Sequence, residues 1–213
     1  MDRQTILLNW YGAMLDALGP SHWWPGETPL EVAVGAILTQ NTNWGNVSKA
    51  IWNLKSAGVL EADKLYALPE TDLAEFIRPS GYYRLKARRL KNFLSFLHRE
   101  CRLDLPALGR RDLESLRPAL IEVKGIGPET ADSILLYALN KPTFVVDAYT
   151  RRILVRHGML PEDVDYEEMR SFFMDVLDPD VDLFNEFHAL IVRAGKAHCL
   201  KGDPKCGGCP LER

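Results

Sequence analysis

Hydrophobic residues recur at helical spacing along almost the whole chain. In residues 5–18, Leu7, Tyr11 and Met14 lie three or four positions apart, and Gly19-Pro20 then interrupts the pattern. The same periodicity predicts further helices at 30–38, 46–54, 72–77, 85–99, 128–139, 148–157, 166–176 and 183–194. Alternating patterns typical of strands are scarce. The sequence therefore predicts an all-α fold.

Composition restricts the class of protein. The chain has 213 residues, enough for one domain or two small ones, with 46% hydrophobic and 26% charged residues, as in ordinary globular proteins. No apolar run reaches membrane-spanning length, and the N-terminal Met-Asp-Arg-Gln lacks a signal-peptide pattern. We expect a cytoplasmic protein with no membrane partner.

The segment 120–135 predicts a helical hairpin. An apolar helix end is followed by Gly125, Ile126 and Gly127, and a second helix begins at Pro128. A helix N-terminus preceded by glycines is an anion site, because its unpaired amides and the helix dipole both favour negative charge. We expect these three residues, together with Thr130 in the first helical turn, to bind a DNA phosphate.

The charge distribution agrees with a DNA partner, although the net charge is −3. Residues 78–99 carry seven Lys and Arg side chains and no carboxylate, whereas 162–182 carry nine carboxylates against Arg170. A basic run by itself is typical of a solvated helix face. Beside a phosphate-binding hairpin, we interpret it as a face turned towards DNA.

A carboxylate, Asp147, follows the apolar run 144–146 and precedes a predicted helix. This position is favourable for a helix N-cap. A cap also fixes the side chain, and a fixed carboxylate can stabilise positive charge on a sugar or activate water. The two roles are compatible.

Together these motifs resemble the helix-hairpin-helix DNA glycosylase superfamily, and in particular its endonuclease III relatives. The resemblance includes Gly125-x-Gly127, Val146-Asp147 one helix later, the segment Leu38-Thr-Gln-Asn-Thr42 and the C-terminal cysteines. It implies a base excision repair enzyme that acts on double-stranded DNA in the nucleoid as a monomer. Asp147 would be the catalytic carboxylate, and Gln40 would fill the gap left by a flipped base.

The resemblance also implies two helical lobes. One would contain residues 1–25 and 133–213 with a metal-cluster loop. The other would be a six-helix barrel, 26–132, that includes the hairpin. Bifunctional family members carry a lysine nucleophile two residues after the second hairpin glycine, where this chain has Glu129. A carboxylate cannot form that Schiff base, so we expect a monofunctional glycosylase without strand-cutting lyase activity.

The damaged base would enter a pocket, and Trp23, Trp24, Pro25 and Trp44 are the candidates to line it. Tryptophan faces attract cationic rings such as 3-methyladenine. These residues, with Arg78-Pro-Ser-Gly-Tyr82 and the hairpin glutamate, are similar to the 3-methyladenine DNA glycosylase III branch. Any of these tryptophans could instead belong to the core. Alternatives are uracil or thymine in mismatches, other endonuclease III-type lesions, or a DNA-binding module without catalysis.

Three cysteines near the C-terminus suggest a metal site. Cys199-x6-Cys206-x2-Cys209 matches the first three ligands of the family's [4Fe–4S] loop, Cys-x6-Cys-x2-Cys-x5-Cys. The fourth ligand would fall six positions after Cys209, beyond Arg213. We expect an iron–sulfur cluster with a structural role. An incomplete cluster, or zinc completed by His198, remains open.

Overall fold

The computed structural model describes residues 2–21, 23 and 26–212, and this part of the chain contains helices and no β-strand. The α-helices are α1 (Arg3–Leu18), α2 (Pro29–Leu38), α3 (Trp44–Ser56), α4 (Ala62–Ala67), α5 (Glu70–Phe76), α6 (Tyr83–Cys101), α7 (Leu105–Leu108), α8 (Leu113–Ile121), α9 (Pro128–Ser133), α10 (Ala148–Arg156), α11 (Tyr166–Met174) and α12 (Val181–Ala197). A 3₁₀ turn, Arg78–Ser80, and a π-helical turn, Ile134–Ala138, complete the regular structure. The all-α prediction is confirmed.

The predicted helix 128–139 changes its hydrogen bonding half-way. After α9, the Leu139 N–H donates to the Ile134 carbonyl, five residues back (3.1 Å). The periodic pattern could not distinguish the two helix types, because both keep Ile134 and Leu135 buried. Among the residues described, no helix is long and apolar enough to cross a membrane.

The chain forms two compact units, here called the terminal unit (1–23 and 142–213) and the central unit (24–141). These boundaries differ from the predicted ones at 25/26 and 132/133. The larger difference, residues 133–141, has a physical reason: Ile134, Leu135 and Ala138 belong to the core of the central unit. The chain therefore leaves that unit only at Lys141.

The central unit is organised around α2. Every residue from Glu31 to Leu38 is buried, as expected for a helix that is apolar on all sides. Thr28 caps its N-terminus by accepting from the Glu31 N–H (3.1 Å), and Pro29 starts its first turn. The hairpin helices α8 and α9 belong to this unit.

The terminal unit is organised around α12, against which α1 and α10 pack. Its core contains an aromatic cluster, in which Phe144 stacks on Phe173 with ring centroids 3.9 Å apart and meets Phe184 and Phe187 edge-on. Phe144 belongs to the apolar run that leads into Asp147. The core thus fixes residues 144–146, the segment that leads directly into α10.

Candidate active site

The Asp147 carboxylate caps α10, as the sequence predicts. Its Oδ1 accepts from the Tyr149 N–H (2.9 Å), the Thr150 N–H (2.8 Å) and the Thr150 hydroxyl (3.0 Å). Three hydrogen bonds on one oxygen fix the orientation of the carboxylate. Its other oxygen, Oδ2, makes none of these bonds, and the side chain keeps 15% of its surface exposed.

Oδ2 of Asp147 faces a buried histidine. His188 of α12 is 5% exposed, and its Nε2 lies 3.8 Å from Oδ2, an ion-pair distance that exceeds a hydrogen bond. Burial alone would raise the pKa of the Asp147 carboxyl. Interactions with His188 and hydrogen bonds from Thr150 outweigh that effect, so the pKa lies below its ordinary value. The carboxylate is therefore ionised at neutral pH.

Close packing of α10 on α12 makes this arrangement possible. A Cβ atom at Gly195 would lie 2.6 Å from Cδ1 of Tyr149, so only glycine allows the two helices to approach at this point. Two cationic side chains lie close to the Tyr149 ring. The Lys196 Nζ is 5.9 Å and the Arg152 Cζ 5.0 Å from the ring centroid, within the range of cation–π contacts.

The hairpin turn between α8 and α9 is held by an arginine. Gly125 has φ +101°, a conformation that favours glycine, and a Cβ atom there would lie 2.3 Å from Cγ of Arg89. Gly127 is exposed and is the N-cap residue of α9, whereas the Ile126 side chain is 3% exposed. Any contact of Ile126 with a phosphate would therefore use its backbone.

Gln40 is joined to the same turn. Its Nε2 donates to the Gly125 carbonyl (3.1 Å) and to the Thr130 hydroxyl (2.9 Å), and its Oε1 accepts from Arg89. Thr130 itself is 7% exposed. In this structure the side chains of Gln40 and Thr130 therefore brace the hairpin, and their predicted contacts with DNA remain predictions.

Arg117 and Asp132 connect the two hairpin helices. The guanidinium of Arg117 binds both carboxylate oxygens of Asp132 (2.8 and 2.9 Å), and Asp132 is fully buried. Bidentate pairs of this kind are geometrically specific. Sequence periodicity did not predict this pair, because an acidic residue beside Ala131 gives no sign of its partner.

The predicted aromatic pocket is described only in part, because Trp24 and Pro25 lie outside the described residues. Trp23 meets the His188 ring edge-on, with centroids 6.5 Å apart, and Lys196 Nζ lies 6.0 Å from its ring. Ser21 anchors this segment to α12 through two hydrogen bonds to Glu186 (2.7 Å each). Trp44 starts α3 and packs, partly buried, against the core of the central unit.

The three C-terminal cysteines line one cavity of about 480 Å³. Arg156 binds this region, because its guanidinium lies 3.3 Å from the Cys199 Sγ and donates to the carbonyls of Leu200 (2.6 Å) and Lys201 (2.9 Å). Burial raises the pKa of the Cys209 thiol, and the neighbouring cysteines raise it further. Within the described residues, no three side chains have the geometry to hold one metal ion.

The lack of such a three-residue group in the described residues argues against a site for a single metal ion more strongly than against a site for a metal cluster. Zinc–sulfur bonds of about 2.3 Å bring tetrahedral thiolates within about 4 Å of one another. A four-iron cluster binds each thiolate to a different iron and therefore spreads the sulfurs around a larger volume. Three thiols line one cavity, and Arg156 lies beside Cys199.

Comparison with known proteins identifies the family of this chain. A model of the HhH-GPD superfamily of base excision DNA repair proteins matches residues 34–179. The match covers more than half of the chain and includes the hairpin and Asp147. The chain belongs to this superfamily. It is a DNA repair glycosylase, an enzyme class that hydrolyses N-glycosyl bonds.

Two relatives match the chain over most of its length. A putative DNA repair glycosylase of Methanocaldococcus jannaschii is 46% identical over 203 residues, which cover 95% of this chain and 92% of the relative. Endonuclease III of Sulfolobus acidocaldarius is 28% identical over 179 residues, 84% of this chain and 77% of the relative. The predicted resemblance to endonuclease III-like glycosylases is confirmed.

Solved structures of HhH-GPD glycosylases share the fold. The 3-methyladenine DNA glycosylase of H. pylori, bound to 1,N6-ethenoadenine, has a TM-score of 0.78 and 32% identity, with 92% of this chain and 98% of that chain covered. An endonuclease III in a non-covalent DNA complex has a TM-score of 0.82, with coverage of 99% and 94%. At 23% identity, the latter likeness concerns the fold alone.

His188 is the residue near Asp147 that the sequence analysis missed. It lies on α12 among buried apolar residues such as Phe184, Phe187 and Leu190. A histidine in such a stripe is the only available signal, and its partner cannot be predicted from periodicity. The pairing depends on how α10 packs against α12.

Proposed function

We propose that this HhH-GPD protein is a monofunctional glycosylase that removes N-alkylated purines such as 3-methyladenine. The observation that carries the choice of substrate is the likeness to the H. pylori 3-methyladenine DNA glycosylase, at 32% identity over 92% of this chain. That enzyme was solved with 1,N6-ethenoadenine, a modified purine. Trp23 and Trp44 support the proposal as aromatic groups suited to a cationic base.

The surroundings of Asp147 suit it to glycosidic bond cleavage. As the bond to the base breaks, positive charge develops on the sugar, and a fixed carboxylate nearby lowers the energy of that state. Oδ1 is held by hydrogen bonds from Tyr149 and Thr150. We assign Oδ2 to the sugar and to the attacking water, whose proton it accepts.

The monofunctional part of the proposal rests on Glu129. This residue is exposed in the first turn of α9, next to the glycines of the hairpin. A carboxylate there is favourable for the helix dipole but cannot form a Schiff base with the sugar. We therefore expect hydrolysis of the base alone, which leaves the abasic strand intact.

We further propose that Cys199, Cys206 and Cys209 hold an iron–sulfur cluster. The support is the shared cavity together with the cation of Arg156 next to Cys199. When bound, such a cluster would neutralise the thiolates and tie the C-terminal segment to α10 and α12. We assign it no part in the chemistry at Asp147.

A second candidate is activity on uracil or thymine in mismatches, or on other endonuclease III-type lesions. The observation that favours it is the similarity to endonuclease III of Sulfolobus acidocaldarius and of Thermotoga maritima, each 28% identical. A DNA-binding module without catalysis is the alternative of another class, and the following experiment also tests it.

The proposal is tested with duplexes that each carry one lesion: an alkylated purine, 1,N6-ethenoadenine, uracil opposite guanine, thymine opposite guanine, or an oxidised pyrimidine. We expect excision from the first two, with strand breaks only after alkali. Asp147→Asn should reduce the single-turnover rate by about 10²–10³-fold, with DNA affinity retained. Excision of pyrimidines alone would select the second candidate. Strand breaks without alkali would contradict the monofunctional assignment.

Asp165→Asn is the matched control. Asp165 caps the neighbouring helix α11 by accepting from the Glu168 N–H (2.8 Å), as Asp147 caps α10, but it is exposed. The control should lose a similar capping interaction and keep its excision rate. If both variants excise at the wild-type rate, Asp147 has no catalytic role. If wild-type protein binds every duplex and excises nothing, the module without catalysis is the correct function.

A further inference from the structure

His188 is a buried titratable group that the proposed chemistry does not yet use. It is 5% exposed on α12, where most buried neighbours are apolar. A buried polar ring costs free energy unless its nitrogens have polar partners. The group that its Nε2 faces is the Asp147 Oδ2, at 3.8 Å.

The two oxygens of Asp147 therefore have separate partners. Oδ1 is held by the N-terminus of α10, through Tyr149 and Thr150. Oδ2 faces the imidazole of α12, and the Trp23 ring meets the same imidazole edge-on, at 79°. His188 thus approaches both the Asp147 carboxylate and a tryptophan predicted to line the base pocket.

We propose that His188 is a positioning residue that keeps Asp147 ionised and holds its Oδ2 in place for the sugar. This inference rests on the proposed function, because it assumes that Asp147 is the catalytic carboxylate. His188 acts through Asp147 and does not itself exchange a proton with the substrate. The imidazole, whose Nε2 lies 3.8 Å from Oδ2, opposes the effect of burial on the pKa of the Asp147 carboxyl.

Two positive charges lie beside the aromatic rings of this region. Lys196 of α12 has its Nζ 5.9 Å from the Tyr149 ring and 6.0 Å from the Trp23 ring, and the Arg152 Cζ of α10 lies 5.0 Å from the Tyr149 ring. His188 Nε2 approaches Oδ2 itself, at 3.8 Å.

Removal of the imidazole gives a specific pH effect. Without His188, burial of Asp147 is less well opposed, so its carboxyl takes up a proton at higher pH than in the wild type. The acid limb of the excision rate then moves to higher pH as well, because the proposed chemistry requires the ionised carboxylate. A residue with only a packing role would lower the rate equally at all pH values.

The experiment compares His188→Gln, which keeps a neutral donor, with His188→Phe, which keeps a ring against Trp23. The first measurement is the ¹³C signal of the Asp147 carboxyl, followed by NMR against pH in the DNA-free protein and assigned by its loss in Asp147→Asn. The second is the pH profile of single-turnover excision. We expect both variants to move the carboxyl titration and the acid limb upwards by the same amount.

His157→Gln is the matched control, because His157 also meets a tryptophan edge-on in the terminal unit (Trp10, centroids 4.8 Å apart), whereas the interactions that lower the pKa of the Asp147 carboxyl come from His188 and Thr150. It should leave the Asp147 titration unchanged. An unmoved titration in both His188 variants would overturn the inference. Because the NMR measurement needs no excision, a wild-type protein without activity would refute the proposed function separately. If His188→Phe is unfolded, His188→Gln and the thermal unfolding curves still decide.

Discussion

Individual residues in this protein serve structure and chemistry at once. Asp147 is a helix cap through Oδ1 and a candidate catalyst through Oδ2. The cap stabilises α10, and it also removes the freedom of the carboxylate to rotate away from a substrate. The sequence could predict the cap because Asp precedes a clear helical pattern. It could not predict that burial and a histidine act on the second oxygen.

Trp44 allows a test of the aromatic part of the base pocket. Trp44→Leu keeps an apolar side chain against the core of the central unit but removes the ring. We expect excision of a cationic alkylated purine to fall about tenfold more than excision of a neutral modified purine, because a cation–π contact is worth about 1–2 kcal/mol when desolvated. The measurement is the ratio of the two single-turnover rates.

The ratio distinguishes recognition from stability. Trp52 is the control, since it is 67% exposed on the same helix, and Trp52→Leu should leave the ratio at its wild-type value. An equal loss for both purines in Trp44→Leu would assign Trp44 to the core alone.

At the scale of elements, the hairpin is shaped by side chains of its own unit. Gln40 and Arg89 hold the turn at Gly125, and Arg117 and Asp132 connect α8 to α9. The glycines permit the turn, and these four side chains hold it and its two helices together. A phosphate would therefore meet a surface that needs little rearrangement, which favours binding.

The Arg117–Asp132 pair predicts a large effect on stability. Asp132→Asn leaves the guanidinium of Arg117, which is 15% exposed, without its carboxylate. Breaking a buried pair in this way costs about 3–5 kcal/mol, and the amides of the hairpin should exchange with solvent faster. Chemical denaturation and hydrogen exchange measure the two effects.

An exposed pair in the same unit is the control. Arg88 and Glu70 lie 3.4 Å apart with side chains 67% and 41% exposed. Because water screens such pairs, Glu70→Gln should change the free energy of unfolding by less than about 1 kcal/mol. Equal effects of the two substitutions would show that Asp132 does not stabilise the hairpin.

Helix α6 shows why a charge run is an incomplete guide to a binding surface. Lys86 is 1% exposed and donates to the carbonyls of Leu38 (2.8 Å) and Ser80 (2.6 Å), and its burial, with Arg89 nearby, lowers its pKa to about 8. Lys91 donates to the carbonyl of Leu68 (2.8 Å). These lysines satisfy carbonyl groups inside the central unit. The predicted DNA-facing surface of α6 thus excludes them.

For the whole molecule, sequence periodicity predicted the long helices well. The predicted starts of α1, α6 and α12 lie within two residues of those observed, because each helix carries an extended apolar stripe. The helices α4 and α7 were missed because six and four residues hold too few apolar positions to show a period. The end of the central unit at Lys141 could not be predicted for a related reason: local patterns do not say which core a buried residue such as Leu135 joins.

The C-terminal segment 198–212 extends the terminal unit by contacts that periodicity also cannot predict. It contains turns and no helix among its described residues, and Arg152 and Arg156 of α10 bind its carbonyl groups. Few of its side chains are buried, so an apolar core contributes little to its stability. A group that binds all three cysteines would supply that stability, because metal binding and folding are coupled.

Iron analysis tests this coupling. We expect protein purified without oxygen to contain iron and acid-labile sulfide, and Cys206→Ser to lose both, with a Tm lower by about 2–4 °C for each kcal/mol of binding energy lost. Cys101→Ser is the control. Its thiol lies in the central unit, 3.1 Å from the Leu97 carbonyl, so this variant should keep its iron. Zinc in place of iron would refute the cluster, because the cysteines would then hold a single ion. Equal iron in both variants would also refute it, because the iron ligands would then differ from Cys199, Cys206 and Cys209.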